Sequence, residues 1–402
     1  MSLLVIILIL PLHVHALCTT PDCVPRDGWD NFANNLGSDL APFLALFGEQ
    51  VTTQYMSESL SWIDNILLAL APLGIITILV SAIRVSGTGP LKSLIGRGRE
   101  TRGEVETDLM SSTSSDTCEL WSGDGVVRVI GTPALLQLIW VPKKVEDPDK
   151  SRGLYNFRDM YSRNRHYTQK HSDNPLSDLP DHQNAMIDRN PPNVSLNLSV
   201  KSVSRPTLVF FIIVGFIAQG AVLAFAAVSQ YVLRFPKNDL DISFYAFPVL
   251  CAGTVFLSVG ILLCAHVVES STGEITWAPK LDTNTDTFVL WLQQGGQKVG
   301  DQEFDAFAQT SNEDIISSYR QGDGKPRRGL VIVAVLFTLL GFIAQLVGLR
   351  AAHSSITVVQ IAAILLVTVF RCSAHFKRNK ENIIENPQLV EGFELDWLAK
   401  YL

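Results

Sequence analysis

The chain has 402 residues, a formal net charge of −7, 47% hydrophobic and 18% charged residues. So few charges exclude an ordinary soluble domain of this length. The apolar residues, moreover, are gathered into long runs, so the lipid bilayer is the expected partner and nucleic acid is not.

The N-terminus opens on an apolar run, Leu3 to Leu10, with Val14 and Ala16 placed as for signal-peptidase cleavage. It is too short to span a bilayer, and no Lys or Arg precedes it. Residues 1–16 are expected to be a signal peptide, with a retained signal anchor as the alternative. Cys18 and Cys23 follow. In an oxidising lumen this pair suits a local disulfide; two free thiols is the other reading. Residues 17–65 are expected outside the cytosol. Within them, Ser38 to Trp62 patterns as an amphipathic helix with Leu40, Phe43, Leu44, Phe47 and Val51 on one side.

A bilayer core takes about 20 consecutive apolar residues in helical form. Runs at 66–84, 207–228, 246–268, 330–349 and 351–370 predict about five membrane helices, one alone and then two hairpins. The first run is short and carries Pro72 and Gly74. Uninterrupted apolar runs exclude the alternation of a membrane barrel.

The soluble stretches fall between these runs. In residues 85–142, Lys92 to Leu109 reads as a charged helix. Cys118 to Trp121, an Asp124-Gly125 turn and Val126 to Ile130 read as a hairpin, and Leu135 to Val141 as a further strand. Residues 143–206 are rich in Asp, Arg, Asn, Ser and Pro and are expected to form a mostly disordered linker. Its His166, His171 and His182 are scattered, as incidental histidines are. In residues 269–329, Thr287 to Leu292 reads as a strand and Gly295-Gly296 as a turn. Asp301 to Phe307 reads as a helix, and Ser311 with Asp314 as a capping box opening another. Neither piece is long enough for a secure core alone, so the two are expected to pack as one small α+β domain. The overall class is therefore a mainly α membrane protein with a small cytosolic α+β domain. In the tail, 371–402, Phe393, Trp397, Leu398, Tyr401 and Leu402 recur at helical spacing. Glu391, Glu394 and Asp396 oppose anionic lipid there, which favours docking on the soluble domain.

Basic residues collect on the cytosolic side of membrane proteins. They follow the first run (Arg84, Lys92, Arg97, Arg99, Arg102) and precede the second (Lys201, Arg205). They also precede the fourth (Arg320, Lys325, Arg327, Arg328) and follow the fifth (Arg371, Lys377, Arg378, Lys380). Arg234 and Lys237 are the main exceptions. The pattern predicts the mature N-terminus outside and the C-terminus in the cytosol, in the plasma membrane or an endomembrane. The sequons at Asn193 and Asn197 would then be cytosolic and unmodified.

Gly215-Phe216-Ile217-Ala218-Gln219 recurs as Gly341-Phe342-Ile343-Ala344-Gln345. In each copy the glycine and glutamine share a helix face. Glycine admits a close neighbour and glutamine bonds across helices, so Gly215, Gln219, Gly341 and Gln345 are the expected helix–helix interface between the two hairpins. Chemistry is otherwise sparse. The span centres lack charge, with Gln219, Gln345 and Gln360 as their main polar groups. Asp239 and Asp241 form an acidic pair without supporting ligands. No nucleophile, phosphate or zinc signature is present, so no catalytic, cofactor or metal residue is expected.

Several blocks carry a family resemblance. They are Asn35 to Pro42, Ala45 to Val51, Ala71 to Ile75, Ser81 to Val85, Cys118 to Leu120, Cys264 to Glu269, Val347 to Arg350 and Gly392 to Ala399. Together, and in this order, they resemble a large family of uncharacterised filamentous-fungal membrane proteins. The resemblance implies a shared membrane fold. Some relatives carry ankyrin repeats, which implies scaffolding; no such repeats occur in this sequence. The family has no established activity, so it contributes no catalytic residue. The expected function is a non-enzymatic scaffold or signalling component binding cytosolic protein partners. The alternative is a small-solute transporter or channel built from two parallel hairpins.

Overall fold

The computed structural model describes residues 48–56, 62–109, 117–123, 125–131, 134–141, 153–157, 167–172, 192–198, 205–235, 242–279, 288–311, 314–320, 328–380 and 390–401. The expected leader, the Cys18–Cys23 pair, Leu40 to Phe47 and the Asp239–Asp241 pair lie outside these residues.

In chain order the helices begin with α1 (48–56), α2 (Trp62–Leu70), α3 (Ile75–Ser86), α4 (Gly89–Leu94) and α5 (Arg102–Leu109). Strands β1 (Thr117–Trp121), β2 (Val126–Ile130), β3 (Leu135–Val141), β4 (Gly153–Asn156) and β5 (Tyr167–Ser172) follow. Next come α6 (Val194–Leu198), α7 (Arg205–Ala227) with a π-helical extension Val228–Val232, and α8 (Ala246–Glu269). Strands β6 (Thr272–Pro279), β7 (Phe288–Gln293), β8 (Gln297–Val299), β9 (Gln302–Phe304), β10 (Phe307–Ser311) and β11 (Ile315–Arg320) precede α9 (Arg328–Ala351), α10 (Ser354–Lys380) and α11 (Glu394–Tyr401). The chain divides into two units. One comprises Met1–Gly98, Val203–Glu269 and Pro326–His375; the other Arg99–Ser202, Ser270–Lys325 and Phe376–Leu402.

The first unit holds the apolar helices. Among the described residues, four are long and apolar enough to cross a membrane: Arg205–Val232, Ala246–Glu269, Gly329–Ala351 and Ser354–Ser373. The fifth expected span, 66–84, is instead two short helices, α2 and α3, of 9 and 12 residues. At about 1.5 Å per residue neither reaches across a bilayer. Pro72 brings no N–H to the Leu68 carbonyl, and Gly74 sits in the left-handed region at φ 69°. A side chain there would run into the Gly48 carbonyl and Thr52, 2.6 Å away.

Helices α8 and α9 pack antiparallel and very closely. A Cβ on Gly253 would overlap the backbone of Ala344 and Gln345, and one on Gly260 that of Thr338. From the other side, Gly341 meets the backbone of Phe256 and Leu257, and Gly348 that of Leu250. Two glycines on each helix, seven residues apart, thus let backbone lie on backbone, the close approach small residues permit in lipid.

The second unit is mostly strand. Its larger sheet has the order β10-β7-β3-β4, and β11-β6-β5 makes a second. The β1–β2 and β8–β9 hairpins complete it. β3 pairs antiparallel with β7, Leu138 facing Leu290 and Ile139 facing Val289, so the two separated pieces share one sheet. Cys118, Leu120, Trp121, Ile139, Trp277, Trp291, Phe304 and Phe307 belong to its core. On another face of the unit, Leu290, Leu292 and Ala308 receive Trp397 and Leu398 of α11. β7 is thereby buried on both faces, which explains its unbroken apolar run.

Three further expectations differ from this. Parts of the expected linker are structured: β4 pairs with β3, β5 pairs with β6, and α6 is capped by Asn193, whose Oδ1 accepts from Leu196 N at 3.0 Å. Asp301 to Phe307 and the Ser311–Asp314 stretch open no helix. They lead into β9, β10 and β11, because β7, β8 and β6 offer open ladder positions that outweigh local helical propensity.

Candidate functional site at the break between α2 and α3

Breaking a helix frees carbonyls, and in lipid each needs a donor. Around the break Ala71-Pro72-Leu73-Gly74, the donors are supplied by distant segments. Gln219 Nε2 of α7 donates to Leu70 O at 2.8 Å, and Gln360 Nε2 of α10 donates to Gln219 Oε1 at 3.4 Å. Thr52 Oγ1 of α1 donates to Leu73 O at 3.0 Å. Leu73 N and Arg371 Nη1 both reach Ala71 O, at 2.7 and 3.5 Å.

Arg371 is the charged centre of this site. Its side chain comes from α10 and is 0% exposed. Nη2 donates to Thr52 Oγ1 at 3.3 Å, the guanidinium lies 5.0 Å from the Tyr55 ring centroid, and Nε has no partner among the described residues. The neighbours it has are carbonyl and hydroxyl oxygens and an aromatic face, all suited to a cation but none of full opposite charge. A guanidinium held this way is costly in a membrane unit and marks the site as specialised. Tyr55 OH in turn donates to Asp64 O at 2.9 Å, which ties α1 to the start of α2. Asn65 Nδ2 donates to Glu269 Oε2, and His266 Nδ1 lies 3.8 Å from the same oxygen. The start of α2 is thus level with the end of α8, while its last turn reaches the middle of α7.

The two copies of the repeated pentapeptide have different surroundings. Gly215 faces Leu70 of α2, where a Cβ would come within 2.9 Å of Leu70 Cδ1, and Gln219 caps the break. Gly341 and Gln345 instead lie in the α8–α9 contact, and the Gln345 backbone meets Gly253. Arg371, read from sequence as one of the basic residues following the fifth span on the cytosolic side, is buried in the bundle. The sequence reading missed it and Thr52 together; the available signal was an arginine directly after an apolar run, set apart from Lys377 and the basic residues beyond it.

In the β-rich unit, Gln293, Glu119 and Glu394 are buried polar anchors. Gln293 Nε2 donates to Trp121 O and Asp305 O, both at 2.8 Å, and its Oε1 accepts from Trp121 N at 2.9 Å. Glu119 accepts from Ser195 N at 2.8 Å and pairs with Arg128 at 3.4 Å. Glu394 Oε1 accepts from Gly295 N at 2.7 Å and Gly392 N at 2.9 Å, fixing α11 to the turn after β7. Burial, with the Glu119 carboxylate beside it, pushes the Cys118 thiol up to about 12. Both sequon asparagines are engaged: Asn193 Nδ2 donates to Ser318 Oγ at 2.7 Å, and Asn197 Nδ2 to Ile316 O at 2.8 Å. Among the described residues no group of three or more His, Cys, Asp or Glu is placed to hold a metal ion.

No family model, curated protein or solved structure matches this chain.

Proposed function

We propose that this is a non-enzymatic membrane scaffold or signalling component whose soluble β unit and docked C-terminal helix bind protein partners. The supporting observation is the way the β unit is built. Its larger sheet joins β3 to β7 across the α7–α8 pair in sequence, and α11 seals it after two further membrane helices. A binding unit interleaved with membrane helices is tethered at several points, which suits holding partners at a membrane. The basic residues flanking the helices favour a cytosolic site for it. Purification in mild detergent after in-cell cross-linking tests the reading. A stoichiometric protein partner is the expected result; a protein that purifies alone sinks it.

The second reading is a small-solute transporter or channel. What favours it is the break beside Gln219 and Arg371, since interrupted helices at mid-depth often line solute paths. Flux in reconstituted vesicles, lost in Gln219→Leu and Arg371→Met proteins that still fold, is its expected signature. Vesicles that stay impermeable to small solutes count against it.

A further inference from the structure

We propose that the start of α3 and the Arg371 guanidinium together bind a small monovalent anion of the halide class. α3 opens without a side-chain cap, because its N-cap is Gly74. The first bond within the helix runs from Ile78 N to Gly74 O at 3.0 Å. The amides of Ile75, Ile76 and Thr77 precede that bond and have no acceptor among the described residues. Amides at a helix start, with the positive end of the helix dipole behind them, suit an anion.

A helix start alone does not single out a ligand; the second observation is Arg371. Its fully buried guanidinium reaches the same place. Nη2 donates to Thr52 Oγ1 at 3.3 Å, and a Cβ on Gly74 would lie 2.6 Å from that same oxygen. One hydroxyl group therefore separates the guanidinium from the N-cap of α3. Both hydrogen bonds of Arg371 are long, at 3.3 and 3.5 Å, and Nε has no partner among the described residues. No carboxylate among those residues pairs with it either. A buried guanidinium so placed leaves one positive charge uncompensated.

The chemistry follows from charge and room. One uncompensated charge selects a monovalent anion. The Gly48 carbonyl and the Thr52 side chain already crowd Gly74, which selects a small one. Ile76 is exposed, so the helix start can be reached from outside. An anion held here needs neither a protein partner nor flux, so the inference goes beyond both readings of function above.

The test uses the full chain purified in detergent and exchanged into gluconate. Replacing gluconate by chloride at constant ionic strength is expected to raise the unfolding temperature by several degrees, saturably, and bromide to substitute for chloride. Binding is also expected to broaden the chloride NMR signal. Arg371→Met is expected to lose both effects, while Gln345→Leu, in the α8–α9 contact, keeps them. Arg371→Lys retains the charge without the fork of donors and is expected to need several-fold more chloride for half the shift. A parent protein that unfolds alike in gluconate and chloride overturns the proposal, whether or not the variants fold. So does a chloride effect that survives unchanged in Arg371→Met or Arg371→Lys. An equal effect of sulfate at matched ionic strength overturns it too, since that marks screening rather than a site.

Discussion

Two parts of one helical bundle solve the problem of close packing in opposite ways. Between α8 and α9, four glycines remove side chains until backbone meets backbone. At the break between α2 and α3, backbone is exposed and side chains from α1, α7 and α10 are brought in to cover it. The first contact depends on atoms being absent, the second on particular donors being present. Substitutions should therefore fail differently: by overlap in the first place, by an unmet carbonyl or an emptied space in the second.

The largest effect is expected in the glycine contact. Gly341→Leu forces a branched side chain into the backbone of Phe256 and Leu257, with no flexible neighbour to yield. Overpacking of a tight contact costs on the order of 3 kcal/mol. Thermal unfolding in detergent should show a large drop or a loss of folded protein. A variant that unfolds like the parent would mean that the two helices do not pack so closely.

Arg371 comes next. Arg371→Ala removes the Thr52 and Ala71 contacts and empties a buried volume, at a cost of roughly 2–3 kcal/mol. Arg371→Met keeps most of the volume and removes a buried charge that has no full counter-charge among its contacts. It is expected to stay within about 1 kcal/mol of the parent. Equal damage from both substitutions would show that the charge itself holds the break together.

Gln219→Leu and Gln345→Leu compare the two pentapeptide copies directly. The first leaves the Leu70 carbonyl without its side-chain donor and should cost about 1–3 kcal/mol. The second alters a residue whose tight contact is made by its backbone, and should cost less. Equal shifts in unfolding temperature would restore the equivalence that the repeat implies.

This contrast also separates what was legible in the sequence from what was not. The long apolar helices, the β1–β2 hairpin and β3 follow from local pattern, and the structure places them close to the expected bounds. The site does not follow from local pattern. Gln219 lies 149 residues from Leu70, and Arg371 lies 300 from Ala71. Pro72 and Gly74 signal a break, but nothing beside them says which donors will close it. The same holds for β4 and β5, polar strands whose edges are defined by their partners β3 and β6 rather than by their own composition. The sequons illustrate the point again: nothing in the motif says that the amides of Asn193 and Asn197 bond to Ser318 and Ile316.

The smallest effect concerns a thiol in the β-rich unit and probes whether that unit is as closed as the glycine contact. Burial raises Cys118 to about 12, well above the ordinary thiol value of 9.0. At pH 8 the thiolate is then on the order of one part in ten thousand, and thiolate is the reactive form. Alkylation of folded protein should therefore spare Cys118, and unfolding should open it to reagent. The sign of the linkage follows. The unfolded thiol ionises near 9.0 and the folded one near 12, so the stabilising contribution is complete below pH 9 and is lost as pH rises through that interval. Mass mapping after a maleimide pulse, at pH 7 and again at pH 10, reads this directly. Rapid labelling of Cys118 at pH 7 would mean that the β1–β2 hairpin opens readily. The anchors at Gln293 and Glu119 would then hold the hairpin more loosely than their hydrogen bonds imply.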